Sequence, residues 1–104
     1  MATTSKALFR GAASTTSTTL YTVPTTSTTT VVTNILVANT AASSATFDLS
    51  IDGVQIANDV AVAANDTLSI DLKQVIPANA TPKIITGSAS ATTVNFHISG
   101  VEIV

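Results

Sequence analysis

The chain contains no cysteine and no tryptophan, and it has few prolines, glycines, aromatic residues or charged residues. Its 104 residues include 3 prolines, 4 glycines, 4% aromatics and 10% charged residues. Without cysteine, disulfide bonds, thiolate metal sites and cysteine nucleophiles are excluded. The 4 glycines are isolated from one another, so the sequence also lacks a Gly-rich phosphate-binding loop.

Charge of either sign is sparse, which bears on the possible partners. The net charge is −2, and the basic residues are scattered along the chain: Lys6, Arg10, Lys73 and Lys83. Because no basic patch forms, we expect neither nucleic acid nor a membrane surface as a partner. No apolar run reaches the ~18 residues of a membrane span, and residues 1–6 lack the apolar core of a signal peptide. We therefore expect no signal peptide and no Sec export.

Catalytic and metal-binding residues are equally scarce. The single histidine, His97, lies among polar residues on one face of a predicted strand, and we interpret it as structural. Asp48 and Asp52 are too far apart along a strand to act as a carboxylate pair, and no calcium-loop spacing occurs. We predict a protein that is not an enzyme, with no catalytic, cofactor-binding or metal-binding residues and no cofactor.

What the chain does contain is β-favouring residues with a period of two. Hydrophobic residues reach 45%, and they alternate with polar ones around Phe47–Asp52, Leu68–Lys73 and Val94–Ile98. Asp52-Gly53 predicts a tight hairpin turn, Asn65-Asp66 predicts a second turn, and Pro77 and Pro82 bracket a loop. We find no helical periodicity.

These patterns predict an all-β fold, a single antiparallel β-sandwich of about seven to nine short strands, either jelly-roll or Ig-like. Residues 1–12 would be an N-terminal arm or first strand, and residues 13–104 the sandwich domain. Near the C-terminus the apolar positions change from even (Phe96, Ile98) to odd (Val101, Ile103). We therefore predict a β-bulge in the last strand at Ser99-Gly100.

Two Thr-Thr-Ser-Thr-Thr tracts, at residues 15–19 and 25–29, each precede a predicted strand. Such tracts are often flexible linkers or glycosylated stalks, but stalks carry more proline than is found here. We favour tracts that lead into strands, with threonine replacing charge as the solvent-facing residue.

The segment 31–38 is apolar on both faces, whereas a sandwich strand normally has one face in water. A partner subunit could cover the second face; alternatively, the N-terminal strand folds across it, or a bulge switches faces midway. We favour a homo-oligomer. We expect the assembly contact to include residues of this segment together with two aromatic residues: Val32, Asn34, Leu36, Tyr21 and Phe9.

Several short motifs carry a resemblance to a known family. Leu20-Tyr21-Thr22-Val23-Pro24, Val32-Thr33-Asn34-Ile35, Ile51-Asp52-Gly53, Asn65-Asp66-Thr67-Leu68 and the closing segment 95–104 resemble small β-sandwich virion structural proteins of tailed bacteriophages. The resemblance covers residues 18–104. It departs from the family after Pro24, where Thr-Thr-Ser stands in place of a Gly-containing turn.

The resemblance implies a non-enzymatic virion protein that is assembled in the host cytoplasm. Its partners would be further copies of itself, with a trimer favoured, and other virion structural proteins. The function we favour is a capsid decoration or cement subunit. The alternative is a tail, baseplate or fibre module that binds a host-surface glycan or anchors a fibre; glycan sites usually offer exposed aromatic rings, for which only Tyr21 and Phe9 are candidates.

Overall fold

A computed structural model describes residues 2–104. Over this range the chain forms eight strands: β1 (Thr3–Ala12), β2 (Thr18–Thr22), β3 (Thr29–Asn39), β4 (Ala45–Ile51), β5 (Val54–Val62), β6 (Thr67–Ile76), β7 (Ile84–Ala89) and β8 (Val94–Ile103). The described residues include no helix long and apolar enough to cross a membrane. The predicted all-β antiparallel sandwich is confirmed.

The strand order identifies the sandwich as a jelly roll. One sheet has the order β1-β8-β3-β6 and the other the order β2-β7-β4-β5. The pairs β1·β8, β2·β7, β3·β6 and β4·β5 are all antiparallel, so the chain forms one long hairpin, first strand with last, that is rolled into two sheets. This order is that of the jelly roll, one of the two alternatives left open by the sequence.

The local turn chemistry follows the sequence closely. Asp52 and Gly53 have φ angles of 55° and 76°, and Ile51 pairs with Val54 across them. Positive φ at both central residues is the signature of a type I′ turn, so the predicted hairpin is confirmed. Strands β2 and β3 begin within the two threonine tracts, at Thr18 and Thr29.

The core lies between the sheets and is built mainly from aliphatic side chains. Phe47 from one sheet meets Phe96 from the other edge to face, with ring centroids 6.0 Å apart, a geometry that aromatic pairs favour. The other fully buried large side chains come from both sheets: Ile35, Leu49, Ile76, Ile85, Ile98, Val23, Val32, Val37 and Val94.

The predicted bulge at Ser99-Gly100 is wrong about which strand carries it. Strand β8 alternates strictly between buried and partly exposed residues from Val94 to Ile103. The extra residues lie on its two neighbours at this level, Leu8 on β1 and Thr33 on β3. The apolar positions change because an acid, Glu102, faces inward in β8, and Val101 and Ile103 consequently face outward.

Gly100 allows the neighbouring strands to come this close. A Cβ atom placed there would collide with the carbonyl oxygen of Val31 and would lie 2.8 Å from Cδ1 of Leu8. The Leu8 side chain, only 7% exposed, fills the space that Gly100 leaves. A glycine within a strand often marks such a close approach of backbones.

Glu102 is the one buried carboxylate among the described residues, and it joins the two sheets. The Tyr21 hydroxyl, from the opposite sheet, donates to Glu102 Oε2 at 2.6 Å, and Lys6 Nζ lies 3.3 Å from the same oxygen. Since Tyr21 gives its proton to the carboxylate, Thr30 Oγ1 is the donor in its 2.8 Å contact with Tyr21. Every buried polar atom of this cluster is therefore satisfied.

Asn39 is a second buried polar residue, at the other end of the sandwich, and its hydrogen bonds connect several loops. Its side chain is buried, and Nδ2 donates to the carbonyl oxygens of Ser43, Val62 and Ala63, at 2.8, 3.3 and 3.4 Å. Its Oδ1 accepts from the backbone amide of Ala41 and from the hydroxyl of Thr93. One side chain thus ties together the loops that follow β3, β5 and β7.

The first prediction concerns Gly100. Gly100→Ala should lower the free energy of unfolding by roughly 1 to 3 kcal/mol, because the added methyl group meets backbone that cannot move aside easily. Gly11→Ala is the matched control, since its added Cβ would lie 3.4 Å from the ring of Phe9, an ordinary contact. Urea unfolding of both variants is the measurement, and equal stability of the two would contradict this account.

The second prediction concerns Tyr21. Burial, and next the hydrogen bond to Glu102, raise the pKa of Tyr21 from 10.0 to about 12. Because the folded-state pKa is the higher one, Tyr21 contributes stability below pH 10, and this contribution is lost as the pH rises towards 12. Tyr21 is the sole tyrosine and there is no tryptophan, so ultraviolet absorbance of tyrosinate follows this group directly.

We expect a native-state midpoint near 12, and a midpoint near 10 in denaturant. Glu102→Gln should lower the native midpoint, because it removes the negative charge that opposes ionisation of Tyr21. A native midpoint that coincides with the denatured one would show that the cluster does not form in solution.

Candidate assembly surface

The residues that could carry chemistry are dispersed over the surface. Among residues 2–104, no three His, Asp or Glu side chains come together as a metal site would require, and no ligand-sized cleft is found. His97 is partly exposed on the outside of the first sheet, where its cross-strand neighbours are Arg10 and Leu36. The surfaces that remain to be considered are the two outer faces of the sandwich.

The outer face of β1-β8-β3-β6, which we call the first outer face, consists of five rows of cross-strand neighbours. In strand order the rows are Thr3-Ile103-Thr29; Ser5-Val101-Val31-Val75; Ala7-Ser99-Asn34-Asp71; Arg10-His97-Leu36-Ser69; and Ala12-Asn95-Ala38-Thr67. The large apolar side chains lie mainly on the two middle strands. The charged residues of these rows lie on the edge strands, Arg10 on β1 and Asp71 on β6.

One end of the first outer face carries a group of four aliphatic side chains, bordered by the hydroxyl residues Thr3, Ser5 and Thr29. Val31, Val101 and Ile103 are partly exposed there, and Val75 is 61% exposed. Isolated apolar residues on a surface are ordinary, but a contiguous group of them indicates a contact surface. Sequence reasoning missed this group because it placed Val101 and Ile103 beyond a bulge, on the core side. No signal within β8 reveals them, because an acid such as Glu102 ordinarily faces water, and its inward position depends on pairing with the distant Tyr21 and Lys6.

The outer face of β2-β7-β4-β5, which we call the second outer face, has a different character. Its row Thr19-Thr86-Ser50-Gln55 is uncharged and carries hydroxyl or amide groups throughout. Thr46 and Ser88 point to the same side, and Asp48 accepts a hydrogen bond at 2.7 Å from the backbone amide of Asp59. The central part of this face offers hydrogen bonds to water, and the exposed large apolar side chains of this sheet, Val54 and Ile56, lie on its edge strand β5.

The five residues expected at the assembly contact occupy three kinds of position. Asn34 and Leu36 lie on the first outer face, with Leu36 37% exposed. Val32 is fully buried and Tyr21 is 7% exposed, both within the core. Phe9 is partly buried and packs against the edge of the core, over Gly11.

A β-bulge accounts for the two apolar faces of segment 31–38. Val32 pairs with Gly100 and Asn34 pairs with Ser99, so Thr33 is an extra residue in β3. Its hydroxyl donates to the carbonyl oxygen of Ser99 at 3.2 Å. The inward positions are consequently Val32 before the bulge and Ile35 and Val37 after it. Of the alternatives considered, a bulge that switches faces is the one the structure contains.

Comparison with known proteins gives a likeness of fold alone. No family model matches the chain, and no curated protein matches it in sequence. Among solved structures, the chain is similar to a chain of the T13 viral particle of IBDV, with a TM-score of 0.56 and 12% identity, over 97% of this chain and 30% of the other.

It is also similar to a chain in the structure of the infectious bursal disease virus Gx strain. There the TM-score is 0.51 and the identity 17%, over 97% of this chain and 32% of the other. The chain therefore spans about a third of the length of each of these proteins. At such identities the likeness establishes that this β-sandwich also occurs within much longer chains of viral particles.

Proposed function

We propose that this protein is a non-enzymatic structural component of a virion, and specifically a decoration subunit on the capsid of a tailed bacteriophage. The observation that carries the proposal is the contrast between its two outer faces. The first outer face carries a group of exposed aliphatic side chains suited to contact with protein, Val31, Val75, Val101 and Ile103. The central row of the second outer face carries hydroxyl and amide groups suited to contact with water. A subunit that covers a shell needs one surface of each kind.

The fold supports the same proposal. The jelly roll is an architecture of viral capsid domains as well as lectins, and both similar structures come from viral particles. Fold by itself does not establish function, so the proposal depends on the surface just described. The resemblance to small phage virion proteins favours a homo-oligomer, a trimer in particular, that binds other virion proteins.

The arrangement of the aromatic residues disfavours the alternative, a tail or fibre module that binds glycan. Stacking on a sugar ring requires an exposed aromatic face. Tyr21 is buried with its hydroxyl hydrogen bonded, Phe47 and Phe96 form the core pair, and Phe9 packs against the core. Among residues 2–104, no Phe or Tyr ring is thus fully exposed for stacking on a sugar.

The third prediction tests the choice between these two functions. The purified protein should co-sediment with expanded empty heads of the phage that encodes it, and should raise the temperature at which those heads rupture. Val101→Lys on the first outer face should weaken binding at least tenfold, since a lysine would have to be desolvated in the contact. Ser50→Lys on the second outer face is the matched control and should bind normally.

The same preparation should show no binding to intact host cells. Binding to cells without binding to heads would overturn the decoration role and support the tail or fibre module. Equal loss of head binding in the two lysine variants would contradict the assignment of the first outer face.

A further inference from the structure

Arg10 and His97 lie side by side on the first outer face. They are cross-strand partners in β1 and β8, so their Cβ atoms are about 5 Å apart. Both side chains point outward, because β8 alternates strictly and Phe96, the residue before His97, is buried in the core. Arg10 is exposed and His97 is partly exposed. A permanent cation and a side chain that can gain a proton near neutral pH are therefore adjacent on the surface proposed to contact the shell.

No acidic side chain on this face is close enough to pair with them. The residues that surround His97 there are uncharged apart from Arg10, among them Leu36 on β3 and Ser99 on β8. The nearest acid of the face, Asp71, lies two strand spacings from β8 and one row away, about 12 Å in all. Lys73, two residues from Asp71 on β6, is exposed beside that acid.

The ion pairs of the chain also leave Arg10 and His97 out. Among residues 2–104 there are two, Lys6–Glu102 and Lys83–Asp52. Arg10 and His97 thus form a basic pair without a counter-charge from their own chain.

A stable contact through the first outer face would cover this basic pair. Four strands of about ten residues make a face of roughly 19 by 33 Å, or about 600 Å². Specific interfaces bury about 800 Å² on each partner. The four aliphatic side chains at one end are too few for such a contact, and Val101 is only about 13 Å along β8 from His97. A contact of ordinary size therefore extends from the aliphatic group over Arg10 and His97.

Covering these two side chains requires a partner of particular chemistry. A charge that loses its water without gaining a counter-charge is strongly unfavourable. Arginine presents a planar fork of N–H donors that matches the two oxygens of a carboxylate, and a protonated histidine donates a further charge-assisted hydrogen bond. Nucleic-acid phosphate is disfavoured, because the net charge of the chain is −2 and its basic residues are scattered. The group that suits the pair is a carboxylate on a protein surface.

We propose that an Asp or Glu carboxylate of the shell protein binds between Arg10 and His97 when the first outer face docks on the capsid. This inference rests on the proposed function and adds the chemistry of the partner. Arg10 donates two N–H groups to the carboxylate. His97 takes up a proton as the complex forms, because a neighbouring carboxylate favours the charged imidazolium.

This proton uptake gives the contact a pH dependence of known sign. Histidine side chains change charge between about pH 5 and 8, whereas Asp and Glu carboxylates stay ionised above about pH 5. Between pH 8 and pH 6 the bound protein consequently carries more protons than the free protein. By linkage, binding to heads strengthens as the pH falls over this range.

The fourth prediction is that this pH dependence belongs to His97. Co-sedimentation with empty heads at pH 8, 7 and 6 should show an affinity that rises roughly five- to tenfold towards pH 6. His97→Asn should lose this rise, because asparagine does not titrate. Arg10→Ala should weaken binding about tenfold at each pH, since the carboxylate loses its fork of donors. Lys73→Ala removes the same charge from the opposite edge of the sheet, and as the matched control it should bind within about twofold of the wild type.

A folding check accompanies the binding measurements. Arg10 and His97 point away from the core, so all three variants should melt cooperatively, as the wild type does. The tyrosinate midpoint of Tyr21 near 12 reports on the interior of the sandwich and should be unchanged in each of them. Loss of binding in a variant that passes this check is then a property of the surface.

Three results would overturn the carboxylate contact: binding that weakens towards pH 6, a pH dependence that persists in His97→Asn, or Arg10→Ala protein that binds as well as Lys73→Ala protein. In each of these cases heads are still bound, so the decoration role would stand. Absence of head binding by the wild type at every pH would instead overturn the proposed function, and this inference with it.

Discussion

The hydrogen bond between Glu102 and Tyr21 is the interaction on which the rest of the surface depends. A carboxylate that faces inward must be paired, and Tyr21 and Lys6 provide the pairing. Because β8 alternates strictly, an inward Glu102 forces Val101 and Ile103 to the outside. The aliphatic end of the first outer face is thus a consequence of one buried acid, and the same acid fastens β8 to the opposite sheet.

Much of the fold could be predicted from local patterns. The alternation in β4, β6 and β8 and the Asp52-Gly53 turn are decided by neighbouring residues, and each predicted feature is present. Strand order was out of reach, since it depends on pairings between residues as distant as Thr3 and Ile103. The bulge at Ser99-Gly100 was placed on the wrong strand because a change of parity shows that registers differ, without showing which strand of a ladder holds the extra residue.

The candidate surface was less predictable than the fold. The apolar pattern of segment 31–38 predicts Asn34 and Leu36 as contact residues, and both lie on the first outer face. The same pattern predicts Val32, but Val32 faces inward because Thr33 is an extra residue in β3. Val31, Val75 and Val101 form one row only once three strands are aligned, and no reading of a single strand brings them together.

The low charge of the chain leaves its sheet edges open to pairing between copies. Extra residues in the edge strands, such as Leu8 in β1 and Leu20 in β2, oppose that pairing. A protein with a net charge of −2 and 10% charged residues has little electrostatic repulsion to keep its copies apart. Lysines along the edges, the usual protection against sheet-to-sheet pairing, are few here. Interruptions of the edge ladders supply that protection without adding charge. Pairing through a sheet edge requires only exposed backbone groups, whereas contact through an outer face requires matched side chains, so interrupted edges favour specific contacts over unspecific ones.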